Sequence, residues 1–502
     1  MSDSPLHNSA DVKALKCADC ARSDSLVSDL KPTDVMPIPA DALAGFPDGV
    51  PHAKRTAHGH SRRAFMRNGL IGAASIYSAT KLDWTSVWES AIARADGPMQ
   101  KSIVCIYLNG GNDGLNAVVP IDATNFAAYN AARANIARVL GPSGGGKVGT
   151  TVMGGTGGTM AFANPLVSGT GNNGDTKGFD TLYGDGSGGA GSDLAVFPAA
   201  DYTPPNLSHF ESRDYWFAGA LQGMATGWLG RWLDAYGTMD NPLQAISLDS
   251  SLSKQIRSNK APVCAIEGLN GAAFTVPNVK SSSPNSEVQK LAAVQASAGN
   301  VALARSRQIY GLTVDVSNRL HTLTTVTPGA GYPANSDLSR KLQLAATLLG
   351  ANLGTRVITI DWGSFDTHGD QVTSQDPQFA VLSSALGAFK ADLAARGIEQ
   401  NVVTMVFSEF GRRVMSNDSL GTDHGAGGMM LVSGSAVRGG LASPHPGLTK
   451  LDNDGDLVVE TDFRSVYQAL IAEWLGGDPT QVLPGGPFAG VHRYDGGTQL
   501  MK

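Results

Sequence analysis

The chain has 502 residues, which is enough for one large α/β domain or for two domains. Hydrophobic residues make up 42% and charged residues 16%, as in a globular protein, and the 61 glycines predict many loops. The net charge of −6 gives no indication of nucleic-acid binding, so we expect no nucleic-acid partner.

The N-terminal segment differs in composition from the rest of the chain. Pro, Asp, Ala and Ser dominate residues 1–60 and no apolar period persists, so we expect a disordered N-terminal extension. Cys17 and Cys20 form a C-x-x-C pair, which is a weak metal or redox signal. Because a second pair is missing, the favoured interpretation is that this pair forms no such site.

Paired arginines follow this extension. Residues 61–66 read SRRAFM, and a short run of apolar and small residues follows at 69–79. This arrangement resembles a twin-arginine export signal, with residues 93–95 (ARA) as a cleavage site. The apolar run is shorter than the ~20 residues that a transmembrane helix needs. We therefore expect a signal region at 61–95 and a mature domain at 96–502. The expected partner is the twin-arginine translocase, and the expected location is periplasmic or secreted, without a stable transmembrane segment. The alternative is a chance arginine pair before a helix.

Apolar strands alternate with amphipathic helices in the remaining chain, which indicates the α/β class. Continuous apolar runs predict buried strands at residues 102–109, 355–360 and 401–407. Helical periodicity predicts helices over 337–352 and about 376–395.

One segment interrupts this alternation. Gly, Thr and Ser dominate residues 143–193, and no usable period is present. We interpret the segment as a long Gly-rich surface insertion. Such an insertion could cover a site, but its residues do not indicate one.

The first candidate ligand follows the first predicted strand. Asp113 lies within residues 109–116, which read NGGNDGLN. The glycines would let an ion or anion approach the backbone, so Asp113 is a candidate metal ligand. The alternative is a Gly-Asn-Asp-Gly turn, because these residues favour turn geometry.

A serine at a predicted helix start has two candidate roles. Ser208 followed by Glu211 is a capping box, which gives Ser208 a structural role. The same position suits a nucleophile, because a helix N-terminus stabilises an anionic oxygen. The cap is the favoured interpretation, and Ser208 is the candidate catalytic residue. We interpret the neighbouring His209 as a lone structural histidine.

The strand at 355–360 is followed by two further candidate ligands. Asp366 and His368 are separated by one residue. Positions i and i+2 of an extended chain point to the same side, so the carboxylate and the imidazole can face one ion.

Three more candidates follow the strand at 401–407. Glu409 lies at the strand end, and Asp423 and His424 lie side by side on the next glycine-flanked loop. In open α/β sheets, ligands bind outside the carboxyl ends of the strands. Carboxylate oxygens and imidazole nitrogens together suit a hard-to-borderline divalent cation. We therefore expect one or more divalent metal ions, with Zn, Mg, Mn and Ca left open.

The motifs together resemble a known family. With the arginine pair, they look like the exported bacterial family of unknown function DUF 1501, over about residues 61–485. That family is similar to the alkaline phosphatase and sulfatase superfamily. The resemblance implies a mainly parallel central sheet between helices, with a metal site at the strand ends. In chain order the motifs are LNGGNDGLN, SHF, GWLGR, FDTH, SEFGR, GTDHG and DFRSVY.

The resemblance also implies roles for individual residues. In the superfamily, an Asp after the first strand binds metal, and Asp113 matches it. Asp423 and His424 match a later Asp-His motif, while the pair after strand 355–360 resembles an Asp-x-x-x-His pair at a shorter spacing. A Ser, Thr or Cys at a helix start is the superfamily's nucleophile, and Ser208 agrees with it in order only.

The sequence therefore predicts an exported metal-dependent hydrolase of phosphate or related esters, acting on a small molecule or a surface polymer. The metal would polarise the ester oxygen and lower the pKa of an attacking Ser or water. Formylglycine sulfatase chemistry is disfavoured, because neither Cys105 nor Cys264 begins a Cys-x-Pro-x-Arg motif. The alternative is a non-catalytic exported protein that uses the same fold to bind a ligand or surface partner.

Overall fold

The central strand of the main sheet lies close to the start of the described part of the chain. The computed structural model describes residues 99–169, 178–238, 241–268 and 329–502, together with Leu323. The predicted disordered extension and the predicted signal region both lie outside the described residues.

Short strands and helices alternate along the described residues. The strands are β1 Ser102–Leu108, β2 Val118–Pro120, β3 Thr150–Val152, β4 Met160–Ala163, β5 Leu194–Asp201, β6 Ala245–Ser247, β7 Cys264–Ala265, β8 Val357–Trp362, β9 Val402–Phe407, β10 Gly411–Arg412, β11 His424–Gly425, β12 Gly428–Ser433, β13 Gly440–Leu441 and β14 Thr461–Asp462. The α-helices are α1 Ala123–Ala132, α2 Phe179–Tyr183, α3 His209–Ala218, α4 Trp228–Tyr236, α5 Asp337–Gly350, α6 Gln371–Ala395 and α7 Phe463–Ala469. A π-helical turn, Leu470–Leu475, continues α7.

The main sheet is mixed, in the order β13-β5-β12-β9-β1-β8-β6-β7, with β14 paired to β5. Strand β1 runs parallel to both β8 and β9, and β6 runs parallel to β7 and β8. Strand β12 is antiparallel to both β9 and β5. The α/β class is confirmed, but the sheet is not purely parallel. The reason is the connection from β9 to β12, which leaves and re-enters the sheet at the same end and needs no crossover helix.

Both faces of the sheet are covered, as a continuous apolar strand requires. Alternate residues of β1 point to opposite sides. Val104, Ile106 and Leu108 join one buried cluster with α5 and α6, whereas Ile103 and Tyr107 join a second cluster with α3, α4 and α7. The three predicted buried strands are confirmed, with ends shifted by one or two residues.

The two predicted helices are present, and one begins earlier than expected. Helix α5 starts as predicted, with the Ser336 hydroxyl accepting a bond from Ser339 N at 3.2 Å. Helix α6 begins at Gln371, not near residue 376, and contains Pro377. Pro377 lies in the second turn of the helix, where a proline leaves one backbone hydrogen bond unmade. In the structure, buried contacts of Gln371 and Gln375 hold the extra turn.

The segment predicted as a Gly-rich surface insertion, residues 143–193, contains regular elements in its described parts. They form β3, β4 and α2, and β4 pairs with β2 and β3 in a small antiparallel sheet. Phe162, Phe179 and Tyr183 from this segment are buried in the main core. The strands are three or four residues long. Their apolar residues are therefore too few to produce a visible period between the glycines.

None of the helices in the described ranges is both long enough and apolar enough to span a membrane.

Candidate metal centre

Three histidines surround one aspartate at the carboxyl ends of β1, β8 and β9. The Nε2 atoms of His368 and His424 lie 3.0 Å and 3.1 Å from Oδ1 of Asp366. The Nε2 atom of His209 lies 3.5 Å from Oδ2 of the same carboxylate. The Nε2 atoms of His368 and His424 are 3.0 Å apart. Four potential ligands from three distant parts of the chain therefore meet at one point.

The four side chains of the cluster lie at or near the ends of helices and strands. His209 is the first residue of α3, Asp366 and His368 lie between β8 and α6, and His424 lies in β11. The loop before β11 packs against the backbone of His368 at Gly421. A Cβ atom there would lie 2.3 Å from the His368 carbonyl carbon, so this close approach requires glycine.

The outer nitrogen of each imidazole is held by an acceptor. Nδ1 of His209 lies 2.8 Å from Glu409 Oε1, and Nδ1 of His368 lies 3.0 Å from Asp423 Oδ1. Nδ1 of His424 lies 2.9 Å from the carbonyl oxygen of Leu207. Because carboxylate and carbonyl oxygens only accept, each Nδ1 carries a proton. The Nε2 atom of a protonated imidazole donates to Asp366, whereas the Nε2 atom of a neutral imidazole presents a lone pair inward, as a metal ligand does. This is the usual arrangement of metal-binding histidines.

Glu409 is fixed from behind by the loop that follows β1. Its buried carboxylate accepts bonds from Gly110 N at 3.0 Å and Gly111 N at 3.1 Å, and from the Ser408 hydroxyl at 2.9 Å. Burial raises the pKa of Glu409, but the hydrogen bond and charge of His209 outweigh this and hold the pKa below its usual value. Glu409 is therefore an ionised partner that orients His209.

A buried arginine fixes the central carboxylate. The Arg412 side chain is 0% exposed, and its Nη2 donates to Asp366 Oδ1 at 2.7 Å. Its Nε and Nη1 donate to the carbonyls of Gly111 and Thr422, each at 2.7 Å. Arg412 thus joins the loop after β1, the loop before α6 and the loop before β11.

The electrostatics of the cluster follow from these contacts. Burial raises the pKa of Asp366, but hydrogen bonds from the three histidines outweigh it and hold the pKa far below its usual value. Burial lowers the pKa of His209, but bonds to Asp366 and Glu409 raise it overall to about 9. The hydrogen bond to Asp366 raises the pKa of His368, whereas burial lowers that of His424. Without a metal ion the cluster is a charged, hydrogen-bonded network.

The donor set fits a divalent cation. Ligand atoms of His209, Asp366 and His424 all lie within 4.8 Å of one another and could hold a metal ion. Nitrogen ligands about 2.0 Å from a tetrahedral ion stand roughly 3.3 Å apart, close to the separations of 3.0–3.5 Å seen here. The side chains keep 9% (His424) to 26% (Asp366) of their surface exposed, so the cluster is open to solvent on one side.

The structure brings five of the seven predicted site residues to the cluster, in two groups. Asp366, His368 and His424 meet at the centre. Glu409 and Asp423 lie one step further out and hold the Nδ1 atoms of two histidines.

Asp113 lies outside the cluster. It is fully buried, and its Oδ2 accepts from Arg133 and from Gln371, each at 2.5 Å. Its Oδ1 accepts from the backbone N–H groups of Leu115 and Asn116, at 3.1 and 3.3 Å. The turn interpretation therefore describes Asp113 better, because both oxygens are committed to internal donors.

The predicted capping box at Ser208 is wrong. Ser208 occupies the N-cap position of α3, but its side chain makes no capping bond. Its amide instead donates to the Asn206 side chain at 2.9 Å, and Asn206 also contacts Glu211, the other half of the predicted box. The sequence could not show that Asn206 binds Glu211.

His209 is the site residue that the sequence interpretation missed. A single histidine carries no pattern, and its partners Glu409 and Asp366 are distant in the chain. The available signal was its place at a predicted helix N-terminus, beside the candidate nucleophile Ser208.

Comparison with known families bears on this same region. No curated protein matches the chain. The family model described as "Protein of unknown function (DUF1501)" matches residues 203–448, just under half of the chain. All four central residues of the cluster and their outer partners lie within this stretch. The match supports the family that the motifs predicted, and over residues 203–448 the chain is similar to DUF1501.

Proposed function

We propose that the chain is an exported metal-dependent hydrolase of phosphate or related esters, with an alkaline-phosphatase-like fold. One observation carries the proposal. Three imidazole Nε2 atoms face the Asp366 carboxylate, while the Nδ1 atom of each ring is held by another acceptor. Such orientation of the outer nitrogens is what a metal ligand set requires.

His209, Asp366, His368 and His424 would hold the ion. A bound divalent ion would supply Lewis acidity to polarise the ester oxygen. Three nitrogens and one oxygen favour Zn or another borderline ion over Mg or Ca, which prefer oxygen ligands. The four side chains are partly exposed, so a substrate could reach the ion, and expansion to five ligands would give the ester oxygen a position on it.

The start of α3 supports ester chemistry at the same place. Ser208 directly precedes His209 and makes no capping bond, so its hydroxyl is the candidate attacking group. The helix N-terminus favours an anionic oxygen there. Water is the alternative attacking group, and the substrate is a small-molecule ester or an ester on a surface polymer.

Export rests on the sequence signal. Arg62 and Arg63, with the apolar run behind them, support twin-arginine transport to the periplasm or beyond. Proteins on that route resemble one another in crossing the membrane folded, often with a cofactor in place. A metal-loaded hydrolase is consistent with it.

A second candidate function is a non-catalytic exported binding protein. Arg412 favours it, because its guanidinium already compensates the Asp366 charge and is buried among backbone carbonyls. A cluster that is satisfied internally can persist without an ion. Binding without turnover would follow from such a cluster.

Metal content combined with turnover separates the two functions. We expect purified protein to carry a divalent ion by elemental analysis. Turnover of p-nitrophenyl esters should disappear on chelation and return with Zn or Mn. His209→Ala should remove both ion and turnover, whereas the exposed His492→Ala should keep both. A metal-free wild type would reject the metal-dependent hydrolase. An absence of ester turnover, with or without a bound ion, would favour the binding protein.

A further inference from the structure

We propose that the centre holds a single divalent ion and acts on singly charged esters, such as phosphodiesters or sulfate monoesters, in preference to dianionic phosphomonoesters. This inference rests on the proposed function.

The number of ions follows from two carboxylates that are already occupied. Each oxygen of Asp113 accepts two internal hydrogen bonds, including one from the buried guanidinium of Arg133. Both oxygens of Glu409 are likewise engaged, by backbone N–H groups, by Ser408 and by His209. A second ion would have to displace buried donors from these groups, leaving the donors unsatisfied.

The positive charge beside Asp366 is a fixed guanidinium. Arg412 contacts the carboxylate at 2.7 Å but is 0% exposed, so it cannot reach out to a substrate phosphate. Arg413 also acts on the Asp423 charge, but its guanidinium donates to the carbonyl of Asp454 at 2.8 Å. Arg412 is therefore committed within the protein, whereas Arg413 makes one exposed hydrogen bond and keeps its charge near Asp423.

The formal charges around the centre compensate one negative charge of a substrate and no more. Asp366, Glu409 and Asp423 contribute three negative charges, and Arg412 and Arg413 contribute two positive charges. With three neutral histidines, a divalent ion brings the formal sum to +1. A monoanionic substrate is thus compensated, whereas the second negative charge of a dianion is not, and at short range in a partly buried site this weakens binding of the dianion.

The first test counts ions without measuring activity. Metal-depleted protein is titrated with Zn by calorimetry, and the loaded protein is analysed for its metal content. We expect one ion per chain. Two ions per chain would overturn the inference.

The second test compares two anions that differ by one charge. Phenylphosphonate and its monomethyl ester are titrated into Zn-loaded protein at pH 8. The monoester should bind about three- to tenfold more tightly, and the difference should shrink at high salt. Turnover of bis(p-nitrophenyl) phosphate and p-nitrophenyl sulfate, each against p-nitrophenyl phosphate, distinguishes the two monoanionic classes. Preference for the dianionic members would overturn the inference while leaving the hydrolase intact. Failure of all these compounds to bind or react would reject the hydrolase together with it.

A matched pair of variants tests the charge argument. Asp423→Asn removes one negative charge and keeps an acceptor for His368, while Asp418→Asn removes the same charge from an exposed position on the same loop. We expect the preference for the monoanion to fall about three- to tenfold in Asp423→Asn and to stay unchanged in Asp418→Asn. Equal preferences in the wild type and both variants would contradict the proposal.

Discussion

Glu409 and His209 lie 200 positions apart in the chain, yet Oε1 of Glu409 lies 2.8 Å from Nδ1 of His209. The carboxylate is buried at the end of β9, and the histidine begins α3. This contact fixes the direction in which the imidazole presents its other nitrogen. It also shows that Glu409 serves the centre through His209.

The first prediction concerns that contact. Glu409→Gln should lower the affinity for Zn about 10- to 100-fold, because an outer partner orients its ligand and raises its basicity. Calorimetric titration of metal-depleted protein measures the change. The exposed Glu460→Gln makes the same chemical change away from the centre and should leave the affinity unaltered. A wild-type affinity in Glu409→Gln would mean that Glu409 has no influence on the ligand set.

Asp113 should prove to be a structural residue. Its bridge to Arg133 is fully buried on both sides. Asp113→Ala leaves a buried guanidinium without its carboxylate, which costs about 3–5 kcal/mol of unfolding free energy. Urea unfolding measures the loss, and elemental analysis of the folded fraction should show an unchanged metal content. Loss of the ion with little loss of stability would instead identify Asp113 as a ligand.

Asp201 should make stability depend on pH. Burial raises its pKa from 3.8 to about 8, with the charges of Asp462 and Asp456 adding to the effect. Between about pH 4 and pH 8 the folded state therefore holds a proton that the unfolded state releases. This stabilising contribution is complete below the unfolded pKa and is lost as the pH rises toward 8.

Comparison with Asp201→Asn isolates this contribution. The stability of the wild type relative to the variant should fall by up to about 1.4 kcal/mol per pH unit between pH 5 and pH 7. Urea unfolding of both proteins at several pH values gives the difference. A difference that is constant with pH would show that Asp201 is ionised in the folded protein.

Ser208 can be tested as the attacking group. Because its side chain makes no capping bond, Ser208→Ala should cost well under the ~1 kcal/mol expected for loss of a true cap. If Ser208 attacks the ester, turnover should fall by several orders of magnitude while the ion and the fold remain. Melting temperature, metal content and ester turnover are measured on the same preparation. Near-wild-type turnover would remove Ser208 from the chemistry and leave water as the attacking group.

Export should depend on the paired arginines. Changing Arg62 and Arg63 together to Lys should keep full-length protein in the cytoplasm, because the pair is the recognition feature of the twin-arginine route. Cell fractionation measures the location, and N-terminal sequencing of exported wild type should begin near Asp96. Normal export of the double-Lys variant would contradict the signal assignment.

The sequence determined the local features of this protein. Continuous apolar runs were sufficient to locate β1, β8 and β9, because strands buried on both faces must be apolar throughout. Polar residues directly after those strands indicated where a site would form, and Asp366, His368 and His424 meet there. Short-range patterns are sufficient for such features, since burial and chain geometry act within a few residues.

The tertiary structure decided which of these residues face one another. Asp113 and Asp366 both follow a strand of the sheet. The carboxylate of Asp113 is paired with Arg133, whereas three imidazoles surround the carboxylate of Asp366. His209 belongs to the site only because the packing of α3 places it against Glu409. Strand β12 runs antiparallel because its connection returns at the same end of the sheet, which also carries His424 back to the centre. These choices depend on partners tens to hundreds of residues away, and no local pattern encodes the partner of a buried charge.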